Sequence, residues 1–306
     1  MTLSNRKILR TLLCLLAGTL YAVCLSACGA KEPLSENRDA EIESPVIAND
    51  LSNQKVTAIA EDTQGHIWIG TFRGLNKNNV HDYHQYFCTD DSLGLPDNQI
   101  THLLRDSKNR FWVGTVNGVC LYTDKDNFRI IPIEADNKNV RQILEDRNGR
   151  IFLNTGFQLY AYHPREEKIT CVLPEISPGN AFYAQCHIAP DNNLWVMTST
   201  GLRCYDPSTL QLKESVALSG YPYYSYLHNN ELWITGNHTL SIFDTRTRSF
   251  KPLPQPIARN TTLCNADIDY IHPYGNNGLL LNTARHGMFY YNPGTGSVTR
   301  QGENGF

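Results

Sequence analysis

Short stretches in which apolar and polar residues alternate recur along the chain, and each is followed by a turn and a second, more apolar run. In the first unit, residues 55–60 vary with a period close to two, which favours a half-buried β-strand. Residues 62–65 then favour a turn, because their Asp can bond nearby backbone and their Gly tolerates a positive φ. Residues 66–71 are rich in β-branched and aromatic residues and favour a second strand. Further runs near Leu75 and Tyr83 complete a predicted unit of four short antiparallel strands.

A similar phrase returns six times, and the three clearest copies are residues 56–71, 100–115 and 140–155. The anchors of the six copies are separated by 44, 40, 43, 38 and 47 residues, and they are Trp68, Trp112, Phe152, Trp195, Trp233 and Leu280. A period of about 40 to 45 residues with an aromatic anchor and turn residues in each unit is typical of propeller blades. The sequence therefore predicts an all-β fold over residues 51–306, a β-propeller of four-stranded blades with each anchor packed between neighbouring blades.

Acidic pairs recur at one position of this repeat. Glu61-Asp62 and Glu145-Asp146 would resemble catalytic carboxylate pairs if each were considered alone. Because the acids return at the predicted turn of successive units, the repeat favours a role in the turns.

The first 28 residues have the features of a bacterial lipoprotein signal peptide. A basic start is followed by an apolar core and by Leu25-Ser26-Ala27-Cys28, which matches a lipobox. We therefore predict cleavage before Cys28 and lipidation of its thiol, with an ordinary signal peptide or an uncleaved anchor as alternatives. Residues 29–50 have the composition of a polar tether.

The composition fits one large exported β domain. The 306 residues are 41% hydrophobic and carry a net charge of −3, and no run of Lys or Arg lies within the repeats, so nucleic acid is not an expected partner. Six cysteines follow the signal, about one per repeat and without close pairs, which favours small buried side chains over a disulfide framework or a zinc site. One disulfide bond among these cysteines is the alternative.

The last residues resemble the lead-in to a repeat, since Gly305-Phe306 matches Gly94-Leu95 before the second copy. We therefore expect a seventh repeat to begin at this point, so that residues 51–306 form an incomplete propeller. An unclosed propeller exposes two blade faces, and we expect it to be marginally stable.

The consensus V-x-x-I-x-E-D-x-x-G-x-I-W-I-G-T-x-x-G-L resembles the two-component regulator propeller repeat. The match is nearly complete over residues 56–75, strong over 100–119 and weaker in the later copies, and the resemblance covers about residues 50–306. It implies the periplasmic sensor region of Bacteroides-type hybrid histidine kinases, which respond to oligosaccharides. It also implies a homodimer of the full-length protein and a downstream membrane helix, on the periplasmic side of the cell envelope. The lipobox at Cys28 predicts a lipid anchor as the other means of membrane attachment. No catalytic centre or cofactor is predicted in this chain.

Tyrosines in residues 220–226 are the first candidates for ligand contacts. Tyr221 and Tyr223 are placed to stack on sugar rings, whereas Tyr224 and Tyr226 share one side of a predicted strand, so packing between blades is the competing interpretation. Arg73 and Arg285 follow the Thr of their repeats, where loops reach a ligand.

A metal site is not predicted. His81 and His84 would face opposite sides of a strand, which separates the one closely spaced histidine pair.

Three functions remain open at this stage. The first is the ligand-sensing propeller of a hybrid two-component sensor, responsive to glycans. The alternative is a free-standing lipid-anchored propeller that binds or scaffolds at the cell envelope, which fatty-acid labelling of Cys28 would favour. The third is a propeller enzyme, which would need carboxylates converging at the central channel.

Overall fold

The computed structural model describes residues 46–79, 81–89, 93–123, 125–176, 184–275 and 277–301. In this part of the chain, 25 strands form six antiparallel sheets. The first two sheets contain β1 (Val46–Ala48), β2 (Val56–Glu61), β3 (Ile67–Thr71), β4 (Gly74–Asn78), β5 (Tyr83–Tyr86), β6 (Ile100–Arg105), β7 (Phe111–Thr115), β8 (Gly118–Tyr122) and β9 (Phe128–Ile131). The next two contain β10 (Gln142–Glu145), β11 (Ile151–Asn154), β12 (Leu159–His163), β13 (Lys168–Leu173), β14 (Gln185–Ile188), β15 (Leu194–Thr198), β16 (Gly201–Tyr205) and β17 (Leu212–Ala217). The last two contain β18 (Pro222–His228), β19 (Glu231–Gly236), β20 (Thr239–Asp244), β21 (Ser249–Lys251), β22 (Ile268–Tyr274), β23 (Gly278–Thr283), β24 (Gly287–Asn292) and β25 (Ser297–Arg300).

In each sheet four strands form a meander and pair in chain order, and in the first sheet β1 is added beside β5. The first strand of each four-stranded meander contacts the first strand of the next, from β2 through β6, β10, β14 and β18 to β22. We call these the inner strands and the sheets blades 1 to 6. The blades are arranged as a six-bladed β-propeller, which confirms the predicted fold class.

Strand β1 lies within residues 29–50, for which the sequence predicted a polar tether. It pairs antiparallel with β5 and adds a fifth strand to blade 1, with Ile47 opposite His84. Val46–Ala48 is an apolar stretch at the end of the polar segment, so strand structure starts before residue 51. The predicted signal peptide and Cys28 lie outside the described residues.

The repeated Trp-Ile-Gly-Thr phrase holds consecutive blades together. Trp68 is fully buried and its ring lies 5.0 Å from that of Phe111 in blade 2. The glycine of the phrase permits close approach of the next inner strand, because a Cβ at Gly70 would lie 2.5 Å from Ile100 Cγ2. The threonine closes the following turn by donating its hydroxyl to the Gly74 carbonyl at 2.8 Å.

The anchors of the later blades pack in the same way. Trp195 contacts Phe243 at 5.1 Å and Trp233 contacts Tyr291 at 5.9 Å between ring centroids, across the junctions to blades 5 and 6. The main hydrophobic clusters therefore lie between sheets, as the repeat predicted.

The recurrent acids serve the turns. The carboxylate of Asp62 accepts hydrogen bonds from the backbone of its own turn and from Trp68 Nε1 at 2.9 Å. Glu145 reaches back to blade 2, where its oxygens accept bonds from the Ser107 backbone and hydroxyl at 2.8 and 2.5 Å. The predicted role in turns is confirmed for Asp62, and Glu145 stabilises the corresponding turn of the preceding blade.

Two short helices, α1 (Gln255–Ala258) and α2 (Thr261–Cys264), join blades 5 and 6 and were not predicted. Asn260 caps α2 by accepting a bond from the Leu263 amide at 3.0 Å. Ile257 and Leu263 are buried and join the cluster at the junction of blades 5 and 6.

Cys120, Cys171, Cys186, Cys204 and Cys264 are free thiols. Cys120, Cys186 and Cys204 are buried, as predicted, whereas Cys88 and Cys171 are exposed, so the prediction was wrong for these two.

Candidate functional site

A cavity of about 720 Å³ lies at the end of the propeller where the inner strands begin. Within the described part of the chain, its walls come from blades 4, 5 and 6, and the lining residues are Gln185, Ser199, Tyr221, Pro222, Tyr223, Tyr224, Asn237, Asp267, Asp269, Tyr270 and Ala284. These are residues at the starts of inner strands and on the turns between second and third strands. Antiparallel pairing places both sets at the same end of each blade.

Two of the lining side chains occupy β-bulges. In β18 the pairing passes from Pro222 to Tyr224, so Tyr223 is the extra residue, and in β22 it passes from Ile268 to Tyr270, so Asp269 is extra. A bulge re-aims a side chain at the edge of a sheet and is common beside functional sites. The bulges bring an aromatic ring and a carboxylate from neighbouring blades into one cavity.

The tyrosines of residues 220–226 divide between packing and the cavity mouth. Tyr224 contacts Tyr270 edge-to-face at 5.4 Å and donates its hydroxyl to the Ile271 carbonyl at 3.3 Å, which ties blade 5 to blade 6. Burial raises the pKa of Tyr224 to about 12. Tyr226 also packs against the junction of blades 5 and 6, whereas Tyr221 is 79% exposed. Packing therefore accounts for Tyr224 and Tyr226 but leaves Tyr221 available.

Tyr223 presents a polar atom with unmet hydrogen-bonding capacity. Its hydroxyl oxygen is buried and has no hydrogen-bond partner among the described residues within ordinary distance. Burial raises the pKa of Tyr223, and the carboxylates of Asp267 and Asp269 raise it further, while the Thr235 side chain weakly opposes them. A ligand hydroxyl or a water molecule in the cavity would supply the missing partner.

The two carboxylates of the cavity differ in their partners. Asp267 Oδ1 accepts the backbone N–H of His238 at 3.0 Å and lies 3.3 Å from His238 Nδ1. Asp269 makes no hydrogen bond or ion pair with any described residue. Asp267 thus orders the turn that carries Asn237, whereas Asp269 is available to a ligand.

The predicted arginines lie at the same end of the propeller as the cavity but do not line it. Arg73 is on the turn after β3 in blade 1, and its backbone N–H bonds to Thr71 Oγ1 at 3.1 Å. Arg285 is exposed on the equivalent turn of blade 6 and directly follows the lining residue Ala284. A ligand role for Tyr221, Tyr223, Arg73 and Arg285 stays a prediction.

Side chains of the inner strands link neighbouring blades through hydrogen bonds. Gln142 Oε1 accepts the backbone N–H of Cys186 at 2.9 Å, and Gln185 Oε1 accepts that of Ser225 at 2.6 Å. His187 Nε2 lies 2.8 Å from Ser225 Oγ in the same network. Gln185 therefore both lines the cavity and fixes blade 5 against blade 4.

Acid should weaken this inner region through two histidines. Burial lowers the pKa of His102 and of His187 to about 4, from an unfolded value near 6.5. Between these values the unfolded chain binds more protons, so stability falls as the pH drops from about 6.5 to 4. We expect His187→Asn to reduce the loss of unfolding free energy between about pH 7 and pH 5 by about 1 to 2 kcal/mol.

Chemical denaturation at several pH values measures this effect, with the exposed His286 as control in a His286→Asn variant. A pH profile that His187→Asn leaves unchanged would contradict the assignment. Carboxylates such as Asp206, whose pKa is lowered to about 2, chiefly by Lys213, respond only at more acidic pH.

No group of three or more potential metal ligands of the His, Cys, Asp and Glu types is found among the described residues. In the same part of the chain, every helix is too short or too polar to cross a bilayer.

The fold and the cavity define a β-propeller with a polar, aromatic-lined pocket at one end. Residues 50–73 and 94–117 match the family model of the two component regulator propeller. The chain therefore carries two component regulator propeller repeats, and the resemblance expected from the sequence is confirmed.

Solved structures share the fold at low sequence identity. The extracellular domain of BT3049 from B. thetaiotaomicron, described as a hybrid two component system, matches with a TM-score of 0.65 and 19% identity over 85% of this chain and 37% of that one. The extracellular domain of BT4673 from the same organism, described likewise, matches with a TM-score of 0.64 and 16% identity over 82% of this chain and 36% of that one. The chain thus spans about a third of the length of these domains.

An enzyme has the same architecture. Virginiamycin B lyase from Staphylococcus aureus matches with a TM-score of 0.62 and 16% identity over 83% of this chain and 86% of that one. No curated protein matches the sequence. Because propellers occur in both sensors and lyases, the fold alone does not determine the function.

Proposed function

We propose that this chain is the ligand-binding propeller of an extracytoplasmic sensor of the two-component class, and that its ligand is an oligosaccharide. The observation that carries the proposal is the coincidence of two features. The chain has two component regulator propeller repeats, and it has a cavity lined by tyrosines together with amide and carboxylate groups. Neither feature alone would distinguish a sensor from another propeller.

The cavity chemistry suits a sugar. Tyrosine rings offer flat apolar faces for the C–H face of a pyranose, while Gln185, Asn237 and Asp269 offer donors and acceptors for its hydroxyls. The volume of about 720 Å³ lies within the range of ~300–1,000 Å³ that is usual for ligand sites. Tyr221 at the mouth extends the aromatic surface beyond the cavity.

Removing the aromatic surface should weaken binding while leaving the fold intact. We expect Tyr221→Ala to lower the affinity for an oligosaccharide ligand about tenfold, since loss of an aromatic contact costs ~1 kcal/mol or more. Calorimetric titration against a panel of plant and host oligosaccharides measures it. Tyr274→Ala is the matched control, because Tyr274 is 55% exposed on β22 and does not line the cavity.

Equal affinities of the Tyr221→Ala and Tyr274→Ala variants would place the binding surface elsewhere. If no oligosaccharide bound to the whole chain, the proposal of a glycan sensor would fail.

The extracytoplasmic location and the membrane anchor belong to the same proposal. Location is supported by the resemblance of the fold to extracellular domains, and attachment by the lipobox ending at Cys28. Lipidation of Cys28 stays a prediction.

A further inference from the structure

The cavity has an excess of negative charge. Two carboxylates, Asp267 and Asp269, line it, and no Lys or Arg is among the described residues of its wall. His238 lies beside Asp267 and leaves Asp269 without a basic partner. Arg285 follows the lining residue Ala284 but is exposed to solvent, where water and salt screen its charge.

Asp269 is the carboxylate of the cavity that a ligand would contact directly. It occupies the bulge of β22, so it lies outside the regular pairing that fixes its neighbours Ile268 and Tyr270. The Asp269 side chain is half-buried in the cavity wall, where a cationic group of a ligand can bind its carboxylate directly. The field of the two carboxylates extends across the cavity, since both raise the pKa of Tyr223 on blade 5.

The tyrosines favour the same kind of ligand. Tyr221, Tyr223 and Tyr270 present aromatic rings around the cavity that contains Asp269. An ammonium group is attracted to the face of an aromatic ring as well as to a carboxylate. A neutral hydroxyl donates a hydrogen bond to Asp269 but leaves the excess charge in place.

We propose that the cavity recognises a ligand carrying a protonated amine, with the ammonium group bound by the Asp269 carboxylate against the surrounding tyrosine rings. This inference rests on the proposed function, because it takes the cavity as the ligand site. For a sugar ligand, the recognised class is an oligosaccharide with free amino groups.

The test compares two probes of equal length, a glucosamine tetrasaccharide with free amines and its fully N-acetylated counterpart. Titrations with the whole chain at about pH 6 keep the amines protonated and the exposed carboxylates ionised. We expect the free-amine probe to bind at least about tenfold more tightly, which corresponds to ~1.4 kcal/mol. Asp269→Asn keeps the shape of the side chain and should reduce the preference to less than about threefold.

Asp136→Asn is the matched control. Asp136 is exposed in the connection before β10, at the same end of the propeller, and it does not line the cavity. Asp136→Asn removes one negative charge without altering the cavity. The variant should therefore prefer the free-amine probe as strongly as the unsubstituted chain does.

Two outcomes would overturn the inference while leaving the glycan-binding proposal intact. These are equal or tighter binding of the N-acetylated probe, and an amine preference that survives Asp269→Asn. Choline serves as a third probe, because it carries a quaternary ammonium but no sugar ring. Binding of choline that depends on Asp269, without binding of either sugar, would support the cation site and would show that these two sugars are not its ligands. Failure of all three probes to bind would overturn the inference, whereas the glycan proposal would fail only if the wider panel of oligosaccharides also failed to bind.

Discussion

Replacing Asp106 with alanine should lower the free energy of unfolding by about 3 to 5 kcal/mol, the range for breaking a buried charge pair by removing one partner. The Asp106 carboxylate is buried in the turn between β6 and β7. One oxygen accepts Trp112 Nε1 at 2.8 Å and Arg110 Nε at 2.6 Å, and the other accepts the backbone N–H groups of Lys108 and Arg110 at 3.0 and 2.9 Å. The variant would leave four donors without their acceptor.

Blade 4 provides the matched control for this turn. There Ala189 takes the place of the aspartate six residues before the anchor, and Trp195 Nε1 is buried with no partner among the described residues. The acid of that turn, Asp191, is exposed, and among the described residues its carboxylate bonds to Asn193 alone. We therefore expect Asp191→Ala to cost less than about 1 kcal/mol, because exposed polar contacts contribute little.

Equilibrium unfolding of both variants in urea, followed by tryptophan fluorescence, compares them directly. A cost below about 1.5 kcal/mol for Asp106→Ala would mean that water replaces the carboxylate. If Asp106→Ala and Asp191→Ala lowered the free energy of unfolding by similar amounts, the hydrogen bond from the buried Trp112 indole to Asp106 would not contribute to stability.

The repeat allowed the blades and turns to be predicted because the same pattern of anchor and turn residues recurs six times. A single carboxylate pair such as Glu145-Asp146 is ambiguous, but recurrence beside the anchor identifies a turn residue. Elements outside the repeat carried no such signal. The helices α1 and α2 occupy one connection, and the exposed Cys88 and Cys171 follow no shared position.

The pocket was only partly predictable, for a geometric reason. Tyr221 and Tyr223 were found because several tyrosines stand together in the sequence, and their ligand role stays a prediction. Gln185, Asn237 and Asp269 were missed because they lie on three different blades and are brought together by the ring. Bulges also leave little trace in an alternating pattern. Alignment of the repeats could have identified Asp269. Thr57 and Thr101 occupy the bulges of β2 and β6, whereas an acidic residue, Asp269, occupies the equivalent bulge of β22.

Two equivalent positions of the repeat should respond very differently to truncation. Leu103 pairs with Val113 on the face of blade 2 that packs against blade 1, and it is 7% exposed. Ile59 pairs with Ile69 on the corresponding face of blade 1, yet it is 64% exposed. We expect Leu103→Ala to lower the free energy of unfolding by about 2 to 4 kcal/mol, the usual cost of removing a buried leucine.

Ile59→Ala should cost less than about 1 kcal/mol, because it removes few contacts and only weakens local strand preference. Urea unfolding of the whole chain measures both variants. Blade 6 also has large side chains exposed on one face, with Tyr270 52% and Met288 39% exposed, so blades 1 and 6 share this property. Because Ile59 and Leu103 occupy the same place in their blades, the difference between their costs isolates the contribution of a neighbouring blade. A cost for Ile59→Ala equal to that for Leu103→Ala would contradict an open face on blade 1 and would show that the face is covered in solution.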